Sequence, residues 1–278
     1  GTTMGGFLWN CDNIEGFRNF EVSAATYSDK NGWTILNDHY DETSSRVNSL
    51  ANDGTAVGWS EQTNGWWAGT VWKNGEEINM KDVAPANIMD IGEATAVSSD
   101  GSMVVGINTW DDQWNQRGYT YNTLTGEMTI LDIYEECPPW DWFCWGANPF
   151  NPYDIADDGT MVGAYGTADA SGATLVNEIL GTQKLVDFLK AQGVMNANDL
   201  GIASNANRIS SNGRHIAGWT AVDGFYGSFK LTLDQLYVCR KGKTMQVGYP
   251  GGVESQLEKG ATLGMCEADL PLQYKGNN

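Results

Sequence analysis

Four stretches of the chain share one pattern of apolar and polar positions. In each, a short apolar run leads into a polar turn containing Asp-Gly or Asn-Gly, and a second apolar run then ends in glycine. The copies are SLANDGTAVG (49–58), AVSSDGSMVVG (96–106), DIADDGTMVG (154–163) and RISSNGRHIAG (208–218). Asp-Gly and Asn-Gly accept the positive φ that tight hairpin turns demand. Each copy therefore predicts a two-stranded antiparallel hairpin.

A second strand pair follows each hairpin after a polar loop, most clearly in WAGTVWKNGEEINM (67–80). Two strand pairs make a four-stranded unit, and the turn glycines recur every 47 to 58 residues, which is the period of a propeller blade with long loops. The pattern predicts an all-β fold, a β-propeller of about five four-stranded blades. The predicted segments are a half-blade at 4–22 and blades at about 46–80, 94–131, 153–189 and 204–235.

The ends of the repeat region decide how such a ring would close. The N-terminal segment resembles the second half of a blade, and residues 236–278 form a separate C-terminal tail after the repeats at 1–235. We expect strands at 235–241 and 243–249 to close the ring; removed upstream residues or a partner chain are the alternatives. One stretch departs from the β pattern, because the apolar spacing over 185–194 predicts a short helix.

The charge of the chain narrows its class of partner. Sixteen basic residues against thirty-five acidic residues leave a net charge of −19. Such a surface repels phosphate backbones and anionic membranes, so we expect no nucleic-acid partner. No apolar run has the length of a membrane span, and the first residues lack the basic start and apolar core of a signal peptide. The chain is then either cytosolic or a mature secreted form.

The five cysteines bear on that choice. Cys137 and Cys144 enclose a short loop, and Cys239 and Cys266 bracket a C-terminal segment. Two local pairs predict the disulfides Cys137–Cys144 and Cys239–Cys266 and an oxidising compartment, with four reduced thiols as the alternative. Cys11 is left over, either as a free buried thiol or bonded to another group. We expect a mature extracellular or cell-surface protein.

The four hairpins, the FLW and TVW strands and the combination LVDFLKAQGV…ANRISSNGRHIAGW resemble the HAF repeats of secreted bacterial proteins, over roughly residues 4–235. This resemblance implies a β-propeller on or outside the cell with no known catalytic residue set. The tail resembles a small secreted C-terminal module, with matches at Cys239, Gly242-Lys243-Thr244, Leu257, Gly260, Leu263-Gly264 and Cys266. Arg240, Gln256 and Lys259 replace the histidines of that module, and Ala261 replaces its acid. If the histidines of that module bind metal, this chain lacks the ligands. The remaining cysteines and glycines then imply that the tail is a structural element closed by a disulfide.

Recognisable catalytic motifs are absent from the sequence. The two histidines are His39, in an acidic loop, and His215, inside a repeat hairpin where a structural role is expected. There is no HExxH, GxSxG or P-loop pattern. Carboxylates that could bind calcium occur in two stretches, but neither has the D-x-D-x-D-G spacing of a calcium loop. We expect no cofactor, with calcium as the alternative at Asp111, Asp112, Asp154 and Asp157.

The aromatic residues carry the main functional prediction. Trp110 and Trp114 flank the acids of one loop, and Cys137–Cys144 would pin an aromatic knob that includes Trp140, Trp142, Phe143 and Trp145. Exposed aromatic faces anchor protein interfaces or stack on sugars; the alternative is that the knob folds back on its own propeller.

From these features we predict a secreted or cell-surface, non-enzymatic β-propeller that acts as a protein-interaction or assembly module. Its partner would be another surface or secreted protein. A carbohydrate-binding propeller that uses the exposed tryptophans is the alternative, followed by a carboxylate-dependent enzyme acting on glycans.

Overall fold

The structure is a computed structural model that describes residues 3–9, 22–36, 44–62, 66–136, 147–165, 172–194, 202–222 and 225–272. The chain forms two compact units, residues 1–157 and 158–278. Strands make up most of the described secondary structure, which confirms the all-β class. The predicted division at 235/236 falls inside the second unit and stays a prediction. Among the described helices, none has the length and apolar character needed to span a membrane.

The first unit begins with two antiparallel sheets. The first sheet has the order β1 (Thr3–Trp9), β2 (Val22–Ser28), β3 (Gly32–Ile35). The second has the order β4 (Ser45–Leu50), β5 (Ala56–Glu61), β6 (Trp67–Lys73), β7 (Glu76–Asn79), and leads into a one-turn helix, α1 (Met80–Val83). This four-stranded meander has the arrangement predicted for the blade at 46–80.

A third sheet and a further strand pair complete the first unit. The third sheet is built from β8 (Ile88–Asp90), β9 (Ala94–Val97), β10 (Met103–Asp111), β11 (Gln116–Asn122) and β12 (Glu127–Ile130). Its order is β12-β11-β10-β8, and β9 also pairs with β10. Next along the chain, β13 (Tyr134–Glu136) pairs with β14 (Ala147–Ile155).

The sheets of the first unit stack face to face in chain order, and apolar side chains fill each interface. Between the first and second sheets lie Ala24, Val47, Ala56 and Trp72. Between the second and third sheets lie Val57, Ala68, Val71, Ala94, Val97, Val104 and Tyr119. β14 then packs on β10 and β11, where the Thr95 hydroxyl donates to the Pro152 carbonyl at 2.8 Å. A sheet with two apolar faces needs such neighbours on both sides.

The repeated turns share one local hydrogen bond, which explains the sequence pattern. In every copy an Asp or Asn side chain accepts a hydrogen bond from the backbone N–H two residues later, the Asx turn expected of these residues. The pairs are Asp53–Thr55, Asp100–Ser102 and Asp158–Thr160, each at 2.9 Å, and Asn212–Arg214 at 3.2 Å.

Turns of successive copies in the first unit also contact each other. The Asn52 N–H donates to the Ser99 carbonyl at 2.9 Å, and the Ser99 hydroxyl donates to the Asp157 carboxylate at 2.6 Å. Gly101 has φ +76°, and a Cβ at this position would lie 2.4 Å from the Asp53 carboxylate oxygens. Glycine is therefore required at Gly101 both for its backbone conformation and for the space it leaves.

Hydrogen bonds lower the pKa of two turn carboxylates below its ordinary value. Burial raises the pKa of Asp53, but hydrogen bonds from Thr55 and the charge of Lys73 lower it by more. The Lys73 ammonium lies 3.6 Å from the Asp53 carboxylate. The pKa of Asp100 is lowered first by the hydrogen bond from the Ser98 hydroxyl. Both carboxylates are therefore better stabilised as anions in the folded chain.

Acid is expected to weaken the first unit through these turns. Because the folded pKa values lie below the unfolded value of 3.8, the unfolded chain takes up protons first as the pH falls. The stability that these carboxylates provide is then complete above about pH 5 and is lost progressively below about pH 4. Thermal unfolding between pH 7 and pH 3 should show a smaller loss for Asp53→Asn/Asp100→Asn than for the wild type. An equal loss in both proteins would contradict this assignment.

One repeat glycine makes room for Tyr119, the largest fully buried side chain among the described residues. Tyr119 on β11 is fully buried and pairs with Gly106 on β10. A Cβ on Gly106 would lie 2.2 Å from the Tyr119 ring, and a Cβ on Gly69 of β6 would lie 2.3 Å from its hydroxyl oxygen. The ring thus extends from the third sheet onto the second.

The second unit contains three further sets of paired antiparallel strands. The first is β15 (Met161–Tyr165), β16 (Ala173–Asn177), β17 (Gly181–Lys184), followed by helix α2 (Leu185–Ala191), which confirms the predicted helix. The second is β18 (Ile202–Ile209), β19 (His215–Val222), β20 (Phe225–Thr232). The third is β22-β21-β23, with β21 (Gln235–Arg240), β22 (Lys243–Gly248), helix α3 (Gly251–Leu257) and β23 (Thr262–Leu263), and a 3-10 turn follows at Glu267–Asp269.

The C-terminal tail is attached to helix α2. The buried Gln192 amide pairs with the backbone of Tyr237: its Oε1 accepts from the Tyr237 N–H at 2.6 Å, and its Nε2 donates to the Tyr237 carbonyl at 3.2 Å. The Met265 N–H donates to the Ala191 carbonyl at 2.7 Å. The Cys239–Cys266 disulfide closes the tail, which confirms that predicted pair.

Candidate functional site

A cleft of about 440 Å³ opens on the first unit where the second and third sheets meet. Its aromatic wall consists of Trp66, Trp67 and Trp110, and its polar residues are Asp90, Glu93 and Asn108. The two adjacent tryptophans stand at the start of β6, and Asp90 and Trp110 are register partners on β8 and β10. The cleft therefore combines indole faces with carboxylates.

The aromatic wall rests on a buried support. Trp67 is 56% exposed, and its ring stacks on the buried Trp59 with a centroid distance of 4.7 Å and an interplanar angle of 19°. The Arg46 guanidinium lies 5.7 Å from the centroid of the Trp59 ring. Trp66 is 66% exposed. A solvent-facing indole that is stacked on the core loses little side-chain entropy when it binds a ligand.

Glu93 is held by residues of the second sheet. Its Oε2 lies 3.2 Å from the Arg46 guanidinium and accepts a hydrogen bond from the Asn48 amide at 2.9 Å. The Asn48 amide also donates to the Ala94 carbonyl at 2.9 Å. This charged group is therefore neutralised by its own fold and connects the two sheets beside the cleft.

Asp90 differs from Glu93, because no described cation forms an ion pair with it. Its Oδ1 accepts a hydrogen bond from the Ile91 N–H at 2.9 Å. The Lys81 ammonium is directed to backbone oxygens instead, at 2.5 Å from the carbonyls of Ile88 and Met89. Among the described residues, Asp90 is thus the cleft carboxylate without a counter-ion.

A β-bulge shapes the floor of the cleft. The β10–β11 register shifts between Gly106 and Thr109, and Asn108 within the shift has φ 59°. The Ile107 N–H donates to the Glu93 carbonyl at 3.1 Å. A Cβ on Gly92 would lie 2.5 Å from the Ile107 oxygen, so only glycine permits this approach. Bulges redirect side chains at binding sites, and this one is followed by Trp110.

The structure separates the aromatic residues predicted from the sequence. Trp110 lines the cleft. Trp114 is 75% exposed with φ 64° at the β10–β11 turn, and it is not among the described residues that line the cleft. The remaining predicted residues lie outside the described part of the chain, so the aromatic knob stays a prediction; they are Trp140, Trp142, Phe143, Trp145 and the Cys137–Cys144 pair, and the same holds for Cys11 and His39.

Three of the four carboxylates considered for calcium, those of Asp111, Asp154 and Asp157, are engaged in local structure. Burial raises the pKa of Asp111, but hydrogen bonds from Asn115 and Gln113 lower it by more, to below its ordinary value. Asp154 is buried, and its Oδ1 accepts from the Ile155 N–H at 3.0 Å. Asp157 accepts from the turn of the preceding copy. Within the described ranges, no three His, Cys, Asp or Glu side chains come together in a group that could hold a metal ion.

The remaining positions singled out in the sequence have structural surroundings. His215 begins β19, and its Nδ1 lies 3.2 Å from the Thr232 hydroxyl. Arg240 and Gln256 contact each other, since Arg240 Nη1 donates to Gln256 Oε1 at 3.4 Å. These two residues stand where the similar C-terminal module has histidines.

The sequence-based selection missed most of the cleft. Trp66, Trp67, Asp90, Glu93 and Asn108 were not among the predicted binding residues. The two adjacent tryptophans after a polar loop were the available signal, because large aromatic side chains beside a loop are candidates for an exposed contact site. Nothing local marks Asp90, which joins the site through its pairing with Trp110.

No protein-family model matches the chain, and no curated protein matches it either. Among solved structures, the chain is similar to TolB from Acinetobacter baumannii, with 10% sequence identity and a TM-score of 0.49. The match covers 88% of this chain and 60% of the TolB chain, so the chain spans less than two thirds of that protein. The resemblance to HAF repeats stays a prediction.

Proposed function

We propose that the protein is a non-enzymatic, extracellular protein-interaction module, and that the tryptophan cleft is its docking site. The observation that carries this proposal is the pair of exposed indoles, Trp66 and Trp67, at the rim of a cleft with a rigid base. Aromatic residues that are fixed in orientation and bordered by polar groups concentrate binding energy at protein interfaces. The Cys239–Cys266 disulfide fits an extracellular or periplasmic location.

The proposal includes a β-propeller of about five blades as the scaffold. Its support is the repeat spacing together with the serial stacking of sheets in the first unit. Each added sheet covers the apolar face of the one before it, as blades do. The Glu93 carboxylate is engaged by Arg46 and Asn48, which fits a structural role for this group in the proposed non-enzymatic module.

Removal of the two rim indoles is expected to abolish docking. We expect Trp66→Ala/Trp67→Ala to reduce recovery of a specific partner at least about tenfold, because hot-spot tryptophans dominate interface energy. The measurement is crosslinking and co-purification from the secreted and envelope fractions of the producing cells. Trp33→Ala is the matched control, since Trp33 is also exposed, at 52%, but lies on the first sheet. Equal recovery by all three proteins would place docking elsewhere.

Glycan binding is a second candidate, favoured by the same combination of indole faces with carboxylate and amide groups. Pyranose rings stack on indoles while their hydroxyls bond to such polar groups. Titration of the wild type and of Trp66→Ala/Trp67→Ala with neutral oligosaccharides separates this function from protein docking.

A further inference from the structure

We propose that the tryptophan cleft binds a cationic side chain, a lysine ammonium or an arginine guanidinium, of a basic segment in the partner, with the Asp90 carboxylate as counter-ion and Trp66, Trp67 and Trp110 as the aromatic enclosure. This inference rests on the proposed docking function and names the chemistry of the partner.

The charge of the cleft favours a cationic ligand. Of its two carboxylates, Glu93 is paired with Arg46 at 3.2 Å, whereas Asp90 forms no ion pair with a described cation. The cleft therefore keeps one uncompensated negative charge. The whole chain carries −19, which attracts basic partners over a long range.

The exposed indole faces of the cleft also favour a cationic ligand. A cation over an indole face is attracted by the ring quadrupole, and tryptophan is the strongest of the aromatic partners. The described residues already contain such an interaction, since the Arg46 guanidinium lies 5.7 Å from the centroid of the Trp59 ring. Trp67 is stacked on Trp59 and is exposed, so it presents an equivalent indole face to a second cation supplied from outside.

The volume of the cleft and the cost of desolvating the Asp90 carboxylate favour one basic side chain over a neutral sugar. A volume of about 440 Å³ is in the range of small-ligand sites and accommodates a single long side chain with its flanking backbone. A neutral sugar in the same cleft would desolvate the Asp90 carboxylate without supplying a charge. A cation compensates that charge, which is why the cleft favours a basic ligand over a glycan.

The test uses the full chain and three probes: a blocked tetralysine peptide, the same peptide with acetylated lysines, and a neutral glucose tetrasaccharide. Binding is followed by the chemical shifts of the tryptophan indole N–H groups. We expect the tetralysine peptide to bind, and to bind more weakly as salt is raised from about 50 to about 300 mM. The acetylated peptide retains the length but loses the charge, and we expect it not to bind.

Two charge variants make the site assignment sharp. Asp90→Asn keeps the shape of the side chain, and we expect it to weaken tetralysine binding at least about tenfold. Asp112→Asn removes one exposed charge outside the cleft, and we expect a change of less than about twofold. Trp66→Ala tests the enclosure while both rings of the Trp59–Trp67 stack remain in the chain, and we expect weaker binding.

Several results would overturn the inference: equal binding by Asp90→Asn and the wild type, equal binding of the acetylated peptide, or binding of the tetrasaccharide without the tetralysine peptide. The proposed function fails separately. If recovery of a partner requires Trp66 and Trp67 but not Asp90, the docking proposal stands and the proposal of a bound cationic side chain fails. If tetralysine binds but no specific protein partner is recovered, the cation site stands and the docking proposal fails.

Discussion

Tyr119→Ala is expected to lower the free energy of unfolding of the first unit by about 3–5 kcal/mol, the cost of removing a large aromatic side chain from a packed core. Tyr119 is fully buried and spans the distance from Gly106 on its own sheet to Gly69 on the second sheet. Both glycines lack side chains that could fill the space. The cavity would therefore stay open at the interface between two sheets.

Tyr119→Phe is the matched control, because it removes only the hydroxyl. Among the described residues, this buried oxygen has no hydrogen-bond partner. Since an unsatisfied buried hydroxyl contributes no net stability, we expect the phenylalanine variant to be as stable as the wild type or more stable. Urea unfolding of the three proteins measures both effects. A loss in Tyr119→Phe as large as that in Tyr119→Ala would show that the hydroxyl, and not the ring, is the important group.

Alkaline pH gives an independent check on the same residue. Burial, and to a lesser degree the nearby Glu93 charge, raises the pKa of Tyr119 above its ordinary value of 10.0. The folded chain keeps this proton while the unfolded chain loses it, so stability falls as the pH rises above about 10. Tyr119→Phe should remove part of that decrease. Tyr121, Tyr153 and Tyr249 also have raised pKa values, so some decrease remains.

Loss of the Cys239–Cys266 disulfide is expected to lower the stability of the second unit by about 3–4 kcal/mol. The two cysteines are 27 residues apart, and a loop of that length gives this value in the chain-entropy model. Without the bond, short backbone contacts hold the tail. They include the Gly264 N–H to the Tyr237 carbonyl at 2.8 Å and the Met265 N–H to the Ala191 carbonyl at 2.7 Å.

Urea unfolding of Cys239→Ser/Cys266→Ser, with and without a reducing agent, measures this contribution. The wild type should lose stability on reduction, and the double variant should already be weaker before it. Any response of the variant to reductant would come from other cysteines, among which the predicted Cys137–Cys144 pair is the candidate. A double variant as stable as the oxidised wild type would mean that the backbone contacts to helix α2 suffice.

The hairpins and the short helix could be predicted because their causes are local. The Asp100 carboxylate accepts from the N–H of Ser102, two residues away, so the residues that favour the turn lie within one short segment of sequence. Helix α2 was predictable because its buried residues, Leu185, Phe188 and Leu189, have the i, i+3, i+4 spacing of a helix. The Cys239–Cys266 pair was also within reach, because both cysteines belong to one C-terminal segment.

The sequence by itself thus determined the all-β class, the repeated hairpins and the sign of the charge, and it marked tryptophans as the residues to examine. Only the tertiary structure decided which of them form a site. Trp67, Asp90 and Trp110 come together because β8 pairs with β10 and the third sheet stacks on the second. Register and stacking depend on contacts between residues far apart in the chain, and a one-residue shift would turn each side chain to the opposite face. The pairing of Arg46 with Glu93 arises from the same long-range packing, and it leaves Asp90 as the cleft carboxylate that forms no ion pair with a described cation.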